Sequence, residues 1–464
     1  MRASTSRCPT RSASEAPTAR SYSAPCVDLL ALHRAFPVRY PFLLESAAPG
    51  PAHGRFDILF GFPGDSLVLH ADDRVEGPAC CTGSADFLDA LDAWWRSLRS
   101  NVSCEGVPFA GGWFVYLGYE LAGQIEPGLH FHSPPGLPVA FATRIVAAVV
   151  RDRARPGCLL VVEDGQEALI ECMREDLAAA GAIAGSADEP AAIRMTEDPP
   201  ERFLTAVHRA RAHIEAGDIY QANLSREWRG QAAGADPAAI YRRLRQTNAG
   251  PFAGLARWRD SAIISSSPER LLRIRGNIAE SRPIAGTRPR HAAANADRRL
   301  AEELIAHPKE RAEHIMLIDL VRNDLGRVCI PGSIEVDEMM VIESHAHVHH
   351  IVSNVRGMLA ATATPGGVMR AVFPGGTITG CPKVRCMQII DELEDAPRGA
   401  YTGSMGYLNR DGSCDLNILI RTIVQHGPEV SLRAGAGIVA DSDPARELDE
   451  CRAKARGLLL ALGA

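Results

Sequence analysis

Residues 201–225 read ERFLTAVHRARAHIEAGDIYQANLS, and the change of period inside this stretch decides the fold class. Leu204, Val207 and Ile214 recur at helical spacing and Gly217 ends the pattern. The run from Ile219 to Leu224 then reads as a strand. Downstream, the chain predicts further strands, a helix beginning at Pro308, a hairpin turned by Asn409-Arg410-Asp411-Gly412, and a last helix capped by Ser442-Asp443 with Pro444 in its first turn. Upstream, from Val27 to about residue 190, short strand-like runs such as 56–60 and 145–150 alternate with Gly/Pro turns. Ala184 to Pro200 is poor in large apolar residues and reads as a linker. The organisation is therefore a Ser-, Ala- and Arg-rich tail over 1–26, expected to be disordered, an N-terminal region over 27–190, and a second domain over 200–464. No repeat of roughly 20–50 residues occurs. The fold class is α+β, antiparallel strands with helices packed outside.

Composition excludes several functions. With 50 Lys and Arg against 56 Asp and Glu, the net charge of −6 implies no nucleic-acid partner. No stretch approaches the about 18 apolar residues of a membrane span. The 12 cysteines are scattered, without Cys-x-x-Cys, which fits reduced thiols and a cytoplasmic location.

The chemistry lies in two stripes of acids. At roughly 100° per residue, Glu447, Glu450 and Lys454 fall within about 60° of each other on the last helix. Glu310 and Glu313 share a stripe on another. Magnesium takes oxygen ligands, often one or two carboxylates plus a substrate group, so two such helices could hold it; taken alone, each pair is equally at home on a solvated helix face. Phe373-Pro374-Gly375-Gly376-Thr377-Ile378-Thr379-Gly380, ahead of a helix starting at Pro382, and Ala434-Gly435-Ala436-Gly437 offer backbone N–H groups to an anion, or are simply turns. Arg421 lies in a run otherwise fit for burial, and a buried arginine needs an anionic partner. With Lys454 it would suit a small dicarboxylate. His345, His347 and His349 alternate as on one face of a strand beside His350, but no ligand-spaced cysteine or carboxylate joins them as in a transition-metal site.

Six collinear segments carry a resemblance: Asp218-Ile219-Tyr220-Gln221-Ala222-Asn223-Leu224-Ser225, Ser267-Pro268-Glu269-Arg270, Arg282-Pro283-Ile284-Ala285-Gly286-Thr287, Glu313-His314 through Arg322-Asn323-Asp324, His349-His350-Ile351-Val352-Ser353, and Gly380-Cys381-Pro382-Lys383. From about residue 200 onward the chain resembles the chorismate-utilising enzymes, which include anthranilate synthase component I, aminodeoxychorismate synthase component I, and the isochorismate and salicylate synthases. The resemblance implies antiparallel sheets packed as a sandwich with helices outside, chorismate as substrate and Mg2+ as cofactor. By position, Glu313 and Glu450 resemble the family's magnesium ligands, with Glu310 and Glu447 in the shell around them. Gly376, Thr377, Tyr401, Arg421, Gly435, Gly437 and Lys454 fall in the substrate-holding segments. Glu269 resembles the general acid, and His350, with Thr287, the catalytic groups over the ring.

Two positions select the nucleophile. Members that add water carry a lysine base where this chain has Gln221, and a neutral amide cannot deprotonate water, so ammonia is expected. At the other, some members have a lysine proposed to attack ring carbon 2; here Ala285 stands instead, as in anthranilate synthases. The Tyr-Gln-Ala-Asn, Ser-Pro-Glu-Arg and Phe-Pro-Gly-Gly segments, the doubled histidine and Ile389 to Glu394 nevertheless resemble members that place nitrogen at carbon 4 and keep the enolpyruvyl group. The chain has no Gly-x-Cys-x-Gly elbow, so a separate glutamine amidotransferase subunit is the expected ammonia source. The N-terminal segments Pro41-Phe42-Leu43-Leu44-Glu45-Ser46, Arg55 to Ile58, and Gly111-Gly112-Trp113 resemble the family more faintly and imply a buried tryptophan-sized pocket near Ser46.

Overall fold

The computed structural model describes residues 19–25, 27–47, 54–81, 83–100, 106–132, 134–183, 192–291, 293–344 and 348–464. All ladders among them are antiparallel and join into one 21-stranded network. Its interior is a core of strand and loop residues without helices, including Phe42, Phe60, Phe114, Phe141, Ile263 and Met405. Phe42 stacks on Phe114 at 4.1 Å, and Phe141 on Trp258 at 4.0 Å. Helices cover the outer faces. Leu29–Ala35, Leu169–Ile183, Pro200–Glu215, Pro237–Thr247 and Pro444–Leu462 share one core with the strands, and Phe87–Leu98, Pro308–Gly326 and Pro365–Val372 share another. This is the expected α+β sandwich, with apolar side chains of alternating strands facing inward.

Most local expectations appear as read. The helix at 201 runs Pro200–Glu215, and its strand begins at Gln221 and continues to Gln231. The runs 56–60 and 145–150 lie inside the strands Phe56–Leu69 and Ala140–Asp152. The turn at 409–412 joins Ser404–Asn409 to Cys414–Asn417. Asp443 caps the last helix by accepting from the Arg446 N–H at 3.0 Å.

Pairing across long sequence distances accounts for what the local pattern missed. Ala19–Ala24, expected within a disordered tail, is a strand in register with Cys158–Glu163; its backbone is satisfied there and Ala19 lies against the core. The rest of that tail, residues 1–18 and 26, lies outside the described residues. Within the expected linker, Met195–Glu197 pairs with 228–230, and residues 184–191 are not among those described. Phe42–Glu45 sits between Phe56–Leu69 and Phe252–Trp258, and Gly112–Leu117 pairs with Ser404–Asn409, so strands from the first 200 residues complete the sheets of the later ones.

One buried ion network clamps these pieces. The Glu394 carboxylate takes Arg398 Nη2 at 2.6 Å, Arg433 Nη2 at 3.0 Å and the Ser225 N–H at 2.7 Å. Arg398 also donates to the carbonyls of Asn223 at 2.6 Å and Ile378 at 3.2 Å, while its own N–H and that of Gly399 reach Glu120 at 2.8 and 2.9 Å. Burial alone would raise Glu394; the two guanidiniums more than reverse this, and its carboxyl is held below the usual range. Replacing Arg398 by Met leaves that carboxylate half-compensated in the interior, and a loss of about 3–5 kcal/mol is expected in chemical denaturation at neutral pH, partly recovered when Glu394 is also changed to Gln.

Candidate active site

The floor of the site is the pairing of Gln221–Gln231 with Glu429–Ile438, which sets Asn223 opposite Gly437 and Ser225 opposite Gly435. Neither glycine has room for a side chain. A Cβ on Gly435 would stand 2.5 Å from the Leu224 carbonyl and 2.6 Å from the Tyr401 hydroxyl, and one on Gly437 would stand 2.3 Å from Gln221 Nε2. Gln221 Oε1 and Asn223 Oδ1 are buried there without hydrogen-bond partners among the described residues. Buried acceptors left open in this way call for a donor. The expected anion loop before residue 382 is instead largely buried: Gly376 packs on Leu320 with no space for a Cβ, and only Thr377 is partly open.

Thr377 has a definite task. Its Oγ1 donates to Glu269 Oε1 at 2.8 Å. Glu269 is 5% exposed, and burial pushes its carboxyl up to about 7 against the opposing pull of Thr377, the Ile284 N–H and the Lys454 charge. A carboxyl in that range is part protonated at neutral pH, as a general acid requires.

Arg421 sits between strands rather than within one, in the left-handed region at φ 54, with its carbonyl taking the Ser266 N–H at 3.0 Å. Among the described residues its half-buried guanidinium reaches Asn248 Oδ1 alone, at 3.5 Å, and desolvation lowers its pKa, with Tyr401 the opposing influence. Among the described residues no carboxylate pairs with it. On the opposite wall Thr287 and His350 are register partners, with Thr287 Oγ1 3.0 Å from His350 Nδ1. Ala285 is opposite Ile351 on the same ladder. His345 and His347 lie outside the described residues, and His349 is turned to Asp297 at 3.0 Å.

The two glutamate stripes meet. Glu313 is raised first by burial and then by Glu310, Glu447 and Glu450, and Lys309 acts on both Glu313 and Glu447, so Pro308–Gly326 and Pro444–Leu462 face each other across the site. Neighbouring carboxylates that help to raise Glu313 and Glu447 offer oxygen donors of the kind a hard divalent cation takes. Glu450 is held by Lys454 at 2.7 Å, and Lys454 also donates to the Gly435 carbonyl at 2.9 Å. Contacts therefore run from Glu450 through Lys454 to the Gly435 carbonyl, the charge of Lys454 is felt at Glu269, and Tyr401 is felt at Arg421. Ser46 stands apart from this group. That residue lies on a separate cavity of about 930 Å3, shared with Phe252, Met405 and Arg270, which is larger than the tryptophan-sized pocket expected; its hydroxyl is buried and unpartnered. Sequence reasoning missed Arg398 and Asn248. Arg398 lies four residues after Glu394, a spacing that could have flagged the pair.

A buried acid, a guanidinium without a carboxylate partner among the described residues and neighbouring glutamates beside a glycine-lined sheet are groups suited to a small anionic ligand. The chain belongs to the chorismate binding enzymes, whose family model matches residues 64–460. It is 41% identical to anthranilate synthase component 1 of Streptomyces coelicolor, over 93% of this chain and 89% of that one, and 37% identical to aminodeoxychorismate synthase component 1 of Bacillus subtilis, over 91% and 92%. The crystal structure of anthranilate synthase component I from Streptococcus pneumoniae superimposes with a TM-score of 0.77 at 29% identity, covering 89% of this chain and 93% of that one.

An unpaired buried cation costs stability and is kept for a ligand. Arg421→Met is expected to leave the melting temperature unchanged or raised while weakening chorismate binding at least about 100-fold, consistent with loss of a desolvated charge pair. Calorimetric titration and thermal melts check both halves.

Proposed function

We propose that this protein aminates chorismate to 4-amino-4-deoxychorismate, using ammonia supplied by a separate glutamine amidotransferase subunit, in the route to 4-aminobenzoate and folate. The observation that carries the ammonia reading is the pair of unpartnered amide acceptors, Gln221 Oε1 and Asn223 Oδ1, at a position where water-adding relatives would need a basic lysine. Ammonia has three N–H donors for such acceptors. The choice of carbon 4 rests on the motif resemblances.

Arg421, Tyr401, Lys454 and the open backbone at Gly435 and Gly437 would hold the enolpyruvyl carboxylate. Glu269, kept part protonated by burial, would give its proton to the 4-hydroxyl as the carbon–oxygen bond breaks and water leaves. The proton surplus on the incoming nitrogen then returns to the carboxylate, so chorismate and ammonia yield aminodeoxychorismate and water. His350, fixed by Thr287, packs the far side. Glu313 and Glu450, with Glu310 and Glu447 around them, would hold magnesium, which when bound neutralises substrate carboxylate charge. Ala285 offers no side-chain nucleophile for carbon 2, so ammonia or water adds there first, or displacement at carbon 4 is direct.

Ala285 and the names of several relatives favour a second reading, anthranilate synthase component I, which adds nitrogen at carbon 2 and expels pyruvate. Purified protein with chorismate, magnesium and ammonium separates the two: 4-aminobenzoate is expected only after a lyase is added, whereas direct anthranilate and pyruvate would establish the second reading. At a fixed concentration of unprotonated ammonia, the rate is expected to fall as pH rises through about 7, where Glu269 loses its proton. Glu269→Gln is expected to cost about 10²–10⁴-fold and to abolish that limb; an unchanged profile would remove Glu269 from the role. The proposal includes tryptophan at the Ser46 cavity, where excess tryptophan should raise the melting temperature.

A further inference from the structure

The four site glutamates do not stand as an open quartet. Each is already provided for by the protein. Glu310 Oε1 takes Arg288 Nη1 at 3.1 Å, Glu313 lies 4.0 Å from Lys309 Nζ, and Glu450 takes Lys454 Nζ at 2.7 Å. Glu447 is hydrogen-bonded by the Ser442 side chain. Among the described residues no three His, Cys, Asp or Glu side chains are gathered closely enough to hold a metal ion as they stand. Glu310 and Glu450 are turned to protein cations, Arg288 and Lys454, instead of to a common point.

Arg288 is the least expected of these cations. It follows catalytic Thr287 directly, its side chain is 22% exposed, and its guanidinium is anchored by donation to the Thr287 carbonyl at 3.0 Å and by Glu303 at 3.7 Å. Gly286, at φ 67, lets the strand pass close to the acid: a Cβ there would stand 2.8 Å from Glu310 Oε2. The short strand Ile284–Pro289 therefore carries Ala285, Thr287 and a fixed counter-charge for Glu310 within four consecutive residues.

We propose that Arg288 is a resident counter-cation of Glu310 that competes with magnesium, so that metal binding proceeds by exchange of protein cations for the ion. Lys454 takes part in the same exchange. Once Glu450 turns to the metal, the Lys454 ammonium keeps only the Gly435 carbonyl and is free to meet a substrate carboxylate. Metal and chorismate then bind with positive coupling, since what the ion takes from Lys454 the substrate replaces. Arg288 is a positioning residue, because it acts on Glu310 and not on the substrate.

This inference rests on the glutamate quartet being the magnesium site. Direct titration with Mn2+, followed by electron paramagnetic resonance without chorismate, tests both and keeps them apart. Arg288→Met should bind Mn2+ about tenfold more tightly than the unchanged protein, the scale of shell effects at metal sites, and Arg288→Lys should bind as the unchanged protein does. Lys309→Met should shift affinity in the same direction as Arg288→Met. Damage to the fold cannot produce a gain in affinity. Equal or weaker binding by Arg288→Met, with the unchanged protein binding normally, would overturn the exchange. Absence of Mn2+ binding to the unchanged protein, with Glu313→Gln no different, would overturn the metal reading and the exchange with it.

Discussion

The structure depends on keeping the Glu394 carboxylate ionised in the interior. Arg398 and Arg433 neutralise it, Ser225 fixes it to the sheet, and Glu120 receives the backbone of the Arg398 turn. These partners come from the two site strands, the helix Lys383–Glu394 and the N-terminal region, so one desolvated cluster sets the relative positions of pieces distant in sequence. Such a cluster adds little net stability compared with apolar packing, but its geometry is demanding: a misplaced strand leaves a charge buried alone. Lys383 and Asp324, paired at 2.7 Å and both largely buried, repeat the device between the helices Lys383–Glu394 and Pro308–Gly326, which explains two of the motif segments by position and not by chemistry.

Within this frame the site separates three electrostatic tasks by burial. Glu269 is enclosed and shifted toward its neutral form; Arg421 is enclosed yet cannot shed its charge at neutral pH, so it waits for an anion. The glutamates lie nearer the surface, where Arg288, Lys309 and Lys454 reach three of them. A largely neutral acid, a permanently charged guanidinium and a group of carboxylates are thus kept in distinct surroundings.

The helical parts of this account were legible in sequence because side chains that work together there are three, four or seven residues apart. Glu447, Glu450 and Lys454 declared their common face, and Asp443 and Pro444 their helix start. Strand contributions were less so. That Ala19–Ala24 closes a sheet edge, or that Ser404–Asn409 pairs with Gly112–Leu117 across about three hundred residues, is fixed by ladder geometry and core packing, which leave no local period to read. The same holds for Arg398: its spacing from Glu394 was visible, but its reach to Asn223 and Ile378 required the fold. Thr377 lies in the glycine-rich approach read as an anion site, and its hydrogen bond to Glu269 could be seen only in the fold.

The central claim is that burial makes Glu269 a proton donor at neutral pH. The most direct measurement is a pH titration of carboxyl carbons by NMR in protein carrying ¹³C-labelled glutamate, with Glu269→Gln used to assign the signal. A midpoint of about 7 for that carboxyl is expected. A midpoint in the ordinary range near 4.5, the unshifted value, would contradict the account.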